Sequence, residues 1–175
     1  MCGIFVALSK NKIDHRRDKY FSATKCINHR GPDNTDFFED EYCFMGHNRL
    51  SIIGLESSSN QPYNENEFVI VYNGEIFNYL EIKEELKILG HSFKTASDTE
   101  VVLKSYIEWK ENAFNKFNGM WSLVIYNKIT HSLVVCRDRF GQKPLFISES
   151  DNDFFVFSEP QQLTQVMRCN PNFEI

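Results

Sequence analysis

Apolar and polar positions along this chain fall into short blocks with two different periods. Residues 2–8, 42–46, 68–72, 120–126, 132–136, 144–147 and 154–157 are runs rich in Val, Ile, Phe and Tyr, and read as strands. Asn73-Gly74, Asn127-Lys128 and Asp151-Asn152-Asp153 supply turn signals between several of them. Three other stretches carry the helical period. Residues 16 to about 28 space Tyr20, Phe21, Ala23 and Ile27 along one side, and residues 80–89 place Ile82, Leu86 and Leu89 at i, i+4 and i+7. Asn78 stands where a cap would open that second helix, and Gly90 where one would close it. The third helix is predicted from Asp98 to about Lys110, with Ser97 and Glu100 as a capping box and Val102, Tyr106 and Trp109 as its core stripe. Short strands joined by tight turns imply antiparallel pairing, and so few amphipathic helices are best used to cover sheet faces. The pattern predicts an α+β sandwich.

Composition narrows the class. A chain of 175 residues, 42% hydrophobic and 25% charged, has the make-up of one globular domain over residues 1–175, and its 16 Phe predict an aromatic core. The net charge of −5 comes without a basic block, which argues against a nucleic-acid partner. No apolar run approaches the ~20 residues that span a bilayer, and no basic leader precedes the first strand, so a cytoplasmic protein off the membrane is expected. Cys2, Cys26, Cys43, Cys136 and Cys169 are odd in number and widely spaced, with no C-x-x-C pair. Neither a disulfide framework nor a structural metal is expected from them.

Four stretches carry candidate chemistry, each beside a plainer reading. Cys2 is an ordinary cysteine unless Met1 is removed. The small residue at position 2 permits that removal, and Cys2 then carries a free α-amine whose pKa of about 7.7–8.0 suits it to take the thiol proton. Asn73-Gly74 taken alone is a two-residue hairpin turn; the alternative is a pair of donors, the Asn73 side-chain amide and the Gly74 N–H, aimed at an oxyanion. Arg49, within Gly46-His47-Asn48-Arg49-Leu50-Ser51-Ile52-Ile53, either reaches solvent or clamps a carboxylate with its planar fork. Asp98 either answers the dipole of its helix or binds an ammonium group. His47 reads as a packed histidine. Arg30-Gly31-Pro32-Asp33 and Arg137-Asp138-Arg139-Phe140-Gly141 are charge-dense turns with structural roles.

Taken together and in order, a set of segments resembles the class II glutamine amidotransferases, within the N-terminal-nucleophile hydrolases, in the branch of the asparagine synthetase glutaminase. They are Met1-Cys2-Gly3-Ile4-Phe5, His29-Arg30-Gly31-Pro32-Asp33, Arg49-Leu50-Ser51-Ile52, Asn73-Gly74-Glu75-Ile76-Phe77-Asn78, Ser97-Asp98-Thr99-Glu100, Phe117-Asn118-Gly119-Met120-Trp121 and Arg137-Asp138-Arg139-Phe140-Gly141. Arg-Gly-Pro-Asp-Asn at 30–34 stands where glucosamine-6-phosphate synthases usually have Arg-Gly-Tyr-Asp-Ser. The resemblance implies a four-layer αββα sandwich of two mainly antiparallel sheets. It further implies that Cys2 attacks the side-chain amide of L-glutamine while Asn73 and Gly74 stabilise the oxyanion. Arg49 is implied to hold the α-carboxylate, Asp98 and Glu75 to lie near the α-amine, and Leu50, Ser51, Ile52 and Ile53 to complete the pocket with backbone groups.

In the resembled family a synthetase domain with a Ser-Gly-Gly motif receives the ammonia, and no such motif occurs here. The chain, ending at Asn172-Phe173-Glu174-Ile175, therefore reads as an excised or truncated domain. It needs no cofactor itself, ATP and Mg being expected only in the missing synthetase domain. The acceptor is aspartate by default, with sugar and antibiotic-pathway amidotransferases as alternatives, and a homodimer is left open. The rival readings are a non-catalytic glutamine-binding or regulatory domain, and a Cys–His hydrolase using His29 or His47.

Overall fold

A computed structural model describes residues 1–13 and 16–167; Cys169 and the terminal Asn172-Phe173-Glu174-Ile175 lie outside them. In chain order the elements are β1 (Gly3–Ser9), α1 (Arg17–Lys25), β2 (Asn34–Glu39), β3 (Cys43–Arg49), β4 (Tyr63–Glu65), β5 (Phe68–Ile76), α2 (Tyr79–Ile88), α3 (Asp98–Trp109), α4 (Ala113–Lys116), β6 (Gly119–Asn127), β7 (Ser132–Arg137), β8 (Phe146–Glu149), β9 (Asp153–Phe157) and α5 (Gln161–Val166). They form two compact units, one of Met1–Leu50 with the segment from Pro144, the other Ser51–Lys143.

The first unit holds a five-stranded sheet in the order β2-β3-β1-β9-β8, every pair antiparallel. β1 takes the centre because its apolar run does not alternate, and Ile4, Phe5, Val6 and Ala7 are fully buried. One set of alternate residues, Phe5, Ala7, Phe44, Phe155 and Phe157, packs with Tyr20, Ala23 and Val166 from the helices. Phe5, Tyr20 and Phe44 meet at ring-centroid distances of 5.5–6.2 Å, a range in which aromatic pairs add to plain area burial. Phe5, Phe44, Phe155 and Phe157 give this core the aromatic character expected, while Phe77, Phe140 and Phe146 are exposed.

The second unit holds a four-stranded antiparallel sheet, β4-β5-β6-β7. Its core joins Ile70, Tyr72 and Ile76 of β5 to Leu123 and Ile125 of β6 and to Ile82, Leu86, Val102 and Tyr106 of the helices. The expected hairpin at Asn127-Lys128 forms, with the Asn127 side chain accepting the Ile129 and Thr130 N–H groups at 2.8 and 3.0 Å.

Three local expectations are corrected. Asn73-Gly74 is not a hairpin turn: β5 runs straight through it, pairing Asn73 with Ser122 and Gly74 with Trp121. The partner strand arrives only after two helices, and the glycine serves close approach instead. A Cβ at Gly74 would lie 2.4 Å from the Met120 carbonyl oxygen and 2.7 Å from Trp121 Cα. Gly74→Ala should therefore cost about 1–3 kcal/mol as overpacking, lowering Tm by roughly 2–12 °C in a thermal melt. Asn78 does stand at the start of α2 but makes no capping bond; its side chain instead donates to Lys116 O at 3.0 Å and accepts from Asn118 N at 2.9 Å. Leu89, expected on the core stripe, is 53% exposed, because the helix has already ended in a left-handed Gly90 with φ +96°.

Candidate active site

Cys2 stands one residue ahead of β1, and the sheet around it holds both its main chain and its sulfur. The Arg30 guanidinium donates from Nε to the Cys2 carbonyl oxygen at 2.9 Å and from Nη1 to Glu159 Oε1 at 3.0 Å. His29 Nε2 meets the same Glu159 oxygen at 3.1 Å. Burial raises the Glu159 carboxyl, but the bonds from Arg30 and His29 outweigh it and hold the group below its ordinary value. Two residues further on, Ile4 is fastened at both backbone groups. Its N–H donates to Ser158 Oγ at 2.9 Å, and its carbonyl accepts from Ser158 N at 3.1 Å and from Gln162 Nε2 at 3.1 Å. The Cys2 sulfur lies 3.4 Å from Leu50 N and 3.6 Å from Leu50 O, so the main chain after β3 offers it a donor and an acceptor. Arg49 ends β3, only 5% exposed, and its carbonyl accepts the Asp33 N–H at 3.0 Å. Cys2, Arg49 and Leu50 are therefore brought together at one end of this sheet.

The remaining predicted residues belong to the second unit. Ser51 and Ile53 are half-buried and Ile52 is exposed, in the segment that follows Leu50. Asn73 is 2% exposed, and its Nδ2 has no hydrogen-bond partner among the described residues. A buried amide donor left unbonded costs roughly 1–3 kcal/mol. Glu75 is half-buried two residues along β5. Asp98 opens α3, 5% exposed, and its Oδ2 accepts from Tyr72 Oη at 2.8 Å and Ile76 N at 3.2 Å. Burial pushes the Asp98 carboxyl up; the Tyr72 and Ile76 bonds pull it back and Glu75 adds to the rise, leaving it above its ordinary value. The strand that carries Asn73 thus also fixes Asp98.

Sequence reasoning undervalued Arg30 and passed over Tyr72, Ser158, Glu159 and Gln162. Arg30 had a readable signal: an arginine beside Gly-Pro must place five donors somewhere. Gln162 had none, because a glutamine in a polar helix gives no hint that it will be fully buried against Ile4. The other charge-dense turn is structural, as read. Asp138 accepts backbone N–H groups from Trp121, Phe140, Gln142 and Lys143 at 3.0–3.3 Å, and these outweigh burial to hold its carboxyl low. Of the two histidines weighed as a base, His29 engages Glu159 and His47 is fully buried within β3.

Comparison with known proteins matches this sequence to a family. Residues 1–174 match the family described as a glutamine amidotransferase domain. The chain is 39% identical over 168 residues to asparagine synthetase [glutamine-hydrolyzing] 1 of Bacillus subtilis, covering 93% of this chain and 26% of that protein. It is 36% identical over 167 residues to the asparagine synthetase [glutamine-hydrolyzing] of Zea mays, covering 94% and 28%. This chain spans about a quarter of the length of these relatives. Among solved structures, glutamine phosphoribosylpyrophosphate amidotransferase from B. subtilis superposes with a TM-score of 0.75 at 19% identity, over 94% of this chain and 43% of that one. The α+β fold with two antiparallel sheets is therefore the one the resemblance implied. By its sequence, its fold and the residues gathered around Cys2, the chain belongs to the glutamine amidotransferase domain family.

Proposed function

We propose that this chain hydrolyses L-glutamine to glutamate and ammonia through a thioester on Cys2, and that the ammonia passes to an ATP-dependent synthetase domain, with asparagine synthesis as the default product. The observation that carries this reading is the N-terminal end of β1, where the Cys2 carbonyl is held by Arg30 and its sulfur lies beside Leu50 N and O. Met1 is 53% exposed, which suits its hydrolytic removal from the small residue behind it.

The freed α-amine takes the Sγ proton, and the thiolate attacks Cδ of the glutamine side chain. The carbonyl electron pair moves to oxygen, where Asn73 Nδ2 and the Gly74 N–H stabilise it. Collapse breaks the C–N bond, the ammonium form of the Cys2 amine gives its proton to the leaving nitrogen, and ammonia departs. Water then adds to the thioester with the amine again as base, and glutamate leaves as the thiol is restored. Arg49 pairs with the α-carboxylate, Asp98 and Glu75 with the α-ammonium, and backbone groups of Leu50, Ser51, Ile52 and Ile53 complete the pocket. No cofactor enters these steps; ATP and Mg act only in the synthetase. The setting is cytoplasmic, a reading compatible with there being no helix among the described residues long and apolar enough to cross a membrane.

Incubation of the Met-processed chain with glutamine, following glutamate and ammonia in equal amounts, tests the reading; no release from processed chain would sink it. The pH profile gives a second handle. The charged form of Asp98 pairs with the ammonium, and its carboxyl sits above the ordinary carboxylate range. As pH falls through that raised pKa the charge is lost and KM for glutamine should rise, starting at a higher pH than for an ordinary aspartate. Asp98→Asn should raise KM at neutral pH and erase that acid limb of kcat/KM.

A further inference from the structure

Glu100 is a fully buried carboxylate in the first turn of α3, and the steps above give it no part. Its surroundings consist of donors. Lys94 N approaches its two oxygens at 3.0 and 3.1 Å, Thr95 N and Thr95 Oγ1 donate to Oε2 at 2.7 and 2.8 Å, and Lys104 Nζ lies 3.6 Å from Oε1. Lys104 is itself 5% exposed and bonded to Glu65 Oε1 at 3.0 Å. In a reciprocal capping box the Glu100 side chain would turn back to the Ser97 N–H. Here the Thr95 hydroxyl accepts that N–H at 3.2 Å, while Ser97 Oγ accepts Thr99 N at 3.1 Å. A hydrogen-bonded relay therefore runs from Glu100 through Thr95 to Ser97, the residue immediately before Asp98.

Capping α3 alone does not require a buried charge, since the Ser97 side chain already does it. What the charge adds is a fixed course for residues 94–97, the segment that delivers Asp98 to the hydroxyl of Tyr72 and the N–H of Ile76. We propose that Glu100 is a positioning residue for glutamine: its carboxylate, fixing the 94–97 segment through Thr95, sets the place from which Asp98 meets the substrate ammonium. This rests on the assignment of Asp98 to that ammonium.

Glu100→Gln keeps the volume but turns an amide N–H₂ toward N–H and O–H donors. In the processed chain it should raise KM for glutamine about tenfold, short of the ~100-fold that an ångström's misplacement can cost, with kcat within about twofold. Thr95→Val keeps the Glu100 side chain and breaks only the relay, so it should shift KM in the same way even if Glu100→Gln fails to fold. The double variant should add little to either alone, because the two act along one path. A purely structural Glu100 would lower Tm and the folded fraction while leaving KM unchanged, and that result in both single variants overturns the proposal. Asp98→Asn separates the two layers. Raised KM in Asp98→Asn with unchanged KM in the Glu100 and Thr95 variants rejects the positioning role alone. Unchanged KM in Asp98→Asn removes the assignment beneath it.

Discussion

Cys2→Ala should abolish glutamine hydrolysis, by on the order of 10⁶-fold, the loss found when a nucleophile that works as a unit with its base is removed. Here the unit is one residue, so the test has a second arm that a separate base would not allow. A chain carrying extra residues ahead of Cys2 keeps the thiol but turns the α-amine into an amide nitrogen, which has no basic lone pair near neutral pH. It should be as inactive as Cys2→Ala in an ammonia-release assay. Placing a protease site directly before Cys2, and cleaving there, should restore turnover in step with the loss of the extension by intact mass. Full activity in the extended chain would instead assign the base to a side chain, and His29 would be the first to examine because it lies on the Glu159–Arg30 cluster that holds the Cys2 carbonyl.

Asn73→Ala should lower kcat by about 10²–10³-fold, or roughly 3–4 kcal/mol of transition-state stabilisation, with a much smaller change in KM. The same substitution should leave Tm within about 2–4 °C of the parent, or raise it. That divergence follows from the buried Nδ2, which has no partner among the described residues in the resting protein. A donor that is unbonded in the ground state stabilises nothing there, so its removal relieves a cost in the fold while withdrawing a bond from the developing oxyanion. Parallel melts and single-turnover measurements check it. A fall in Tm with unchanged kcat would make Asn73 a packing residue of β5.

Much of this was legible because the strong signals were local. The unbroken apolar run after Cys2 placed β1, Ser97 placed the start of α3, and the spacing of Ile82 and Leu86 placed α2. The cysteine, the Asn-Gly pair and the Arg-Leu-Ser-Ile run were visible as chemistry only in combination. What failed was non-local. Asn73-Gly74 has the composition of a turn, and only the arrival of β6 against Gly74 makes it strand. β2, with Asp36 and Glu39 among its six residues, carries too much polar character to stand out, and it forms because Phe37 reaches Phe21 at 4.4 Å and Phe44 at 5.6 Å. Three-residue β4 is too short for any period to show. Arg30 and Glu159 lie far apart in the chain, so their joint hold on the nucleophile's residue has no local trace.

The fastening of Ile4 by Ser158 and Gln162 also bears on when the protein matures. The two partners that secure Ile4 lie 154 and 158 residues further along the chain. At about 5–20 residues per second, some 10–30 s separate the emergence of Met1 from theirs. Through that interval the leading end lacks its final strand neighbour β9 and stays open to an aminopeptidase. On the proposed mechanism, translation would order the two events: the amine is uncovered while the strand is still unanchored, and the thiol meets its surroundings only afterwards. A reactive amine–thiol pair would in this way be kept from assembling until Ser158 and Gln162 have reached Ile4.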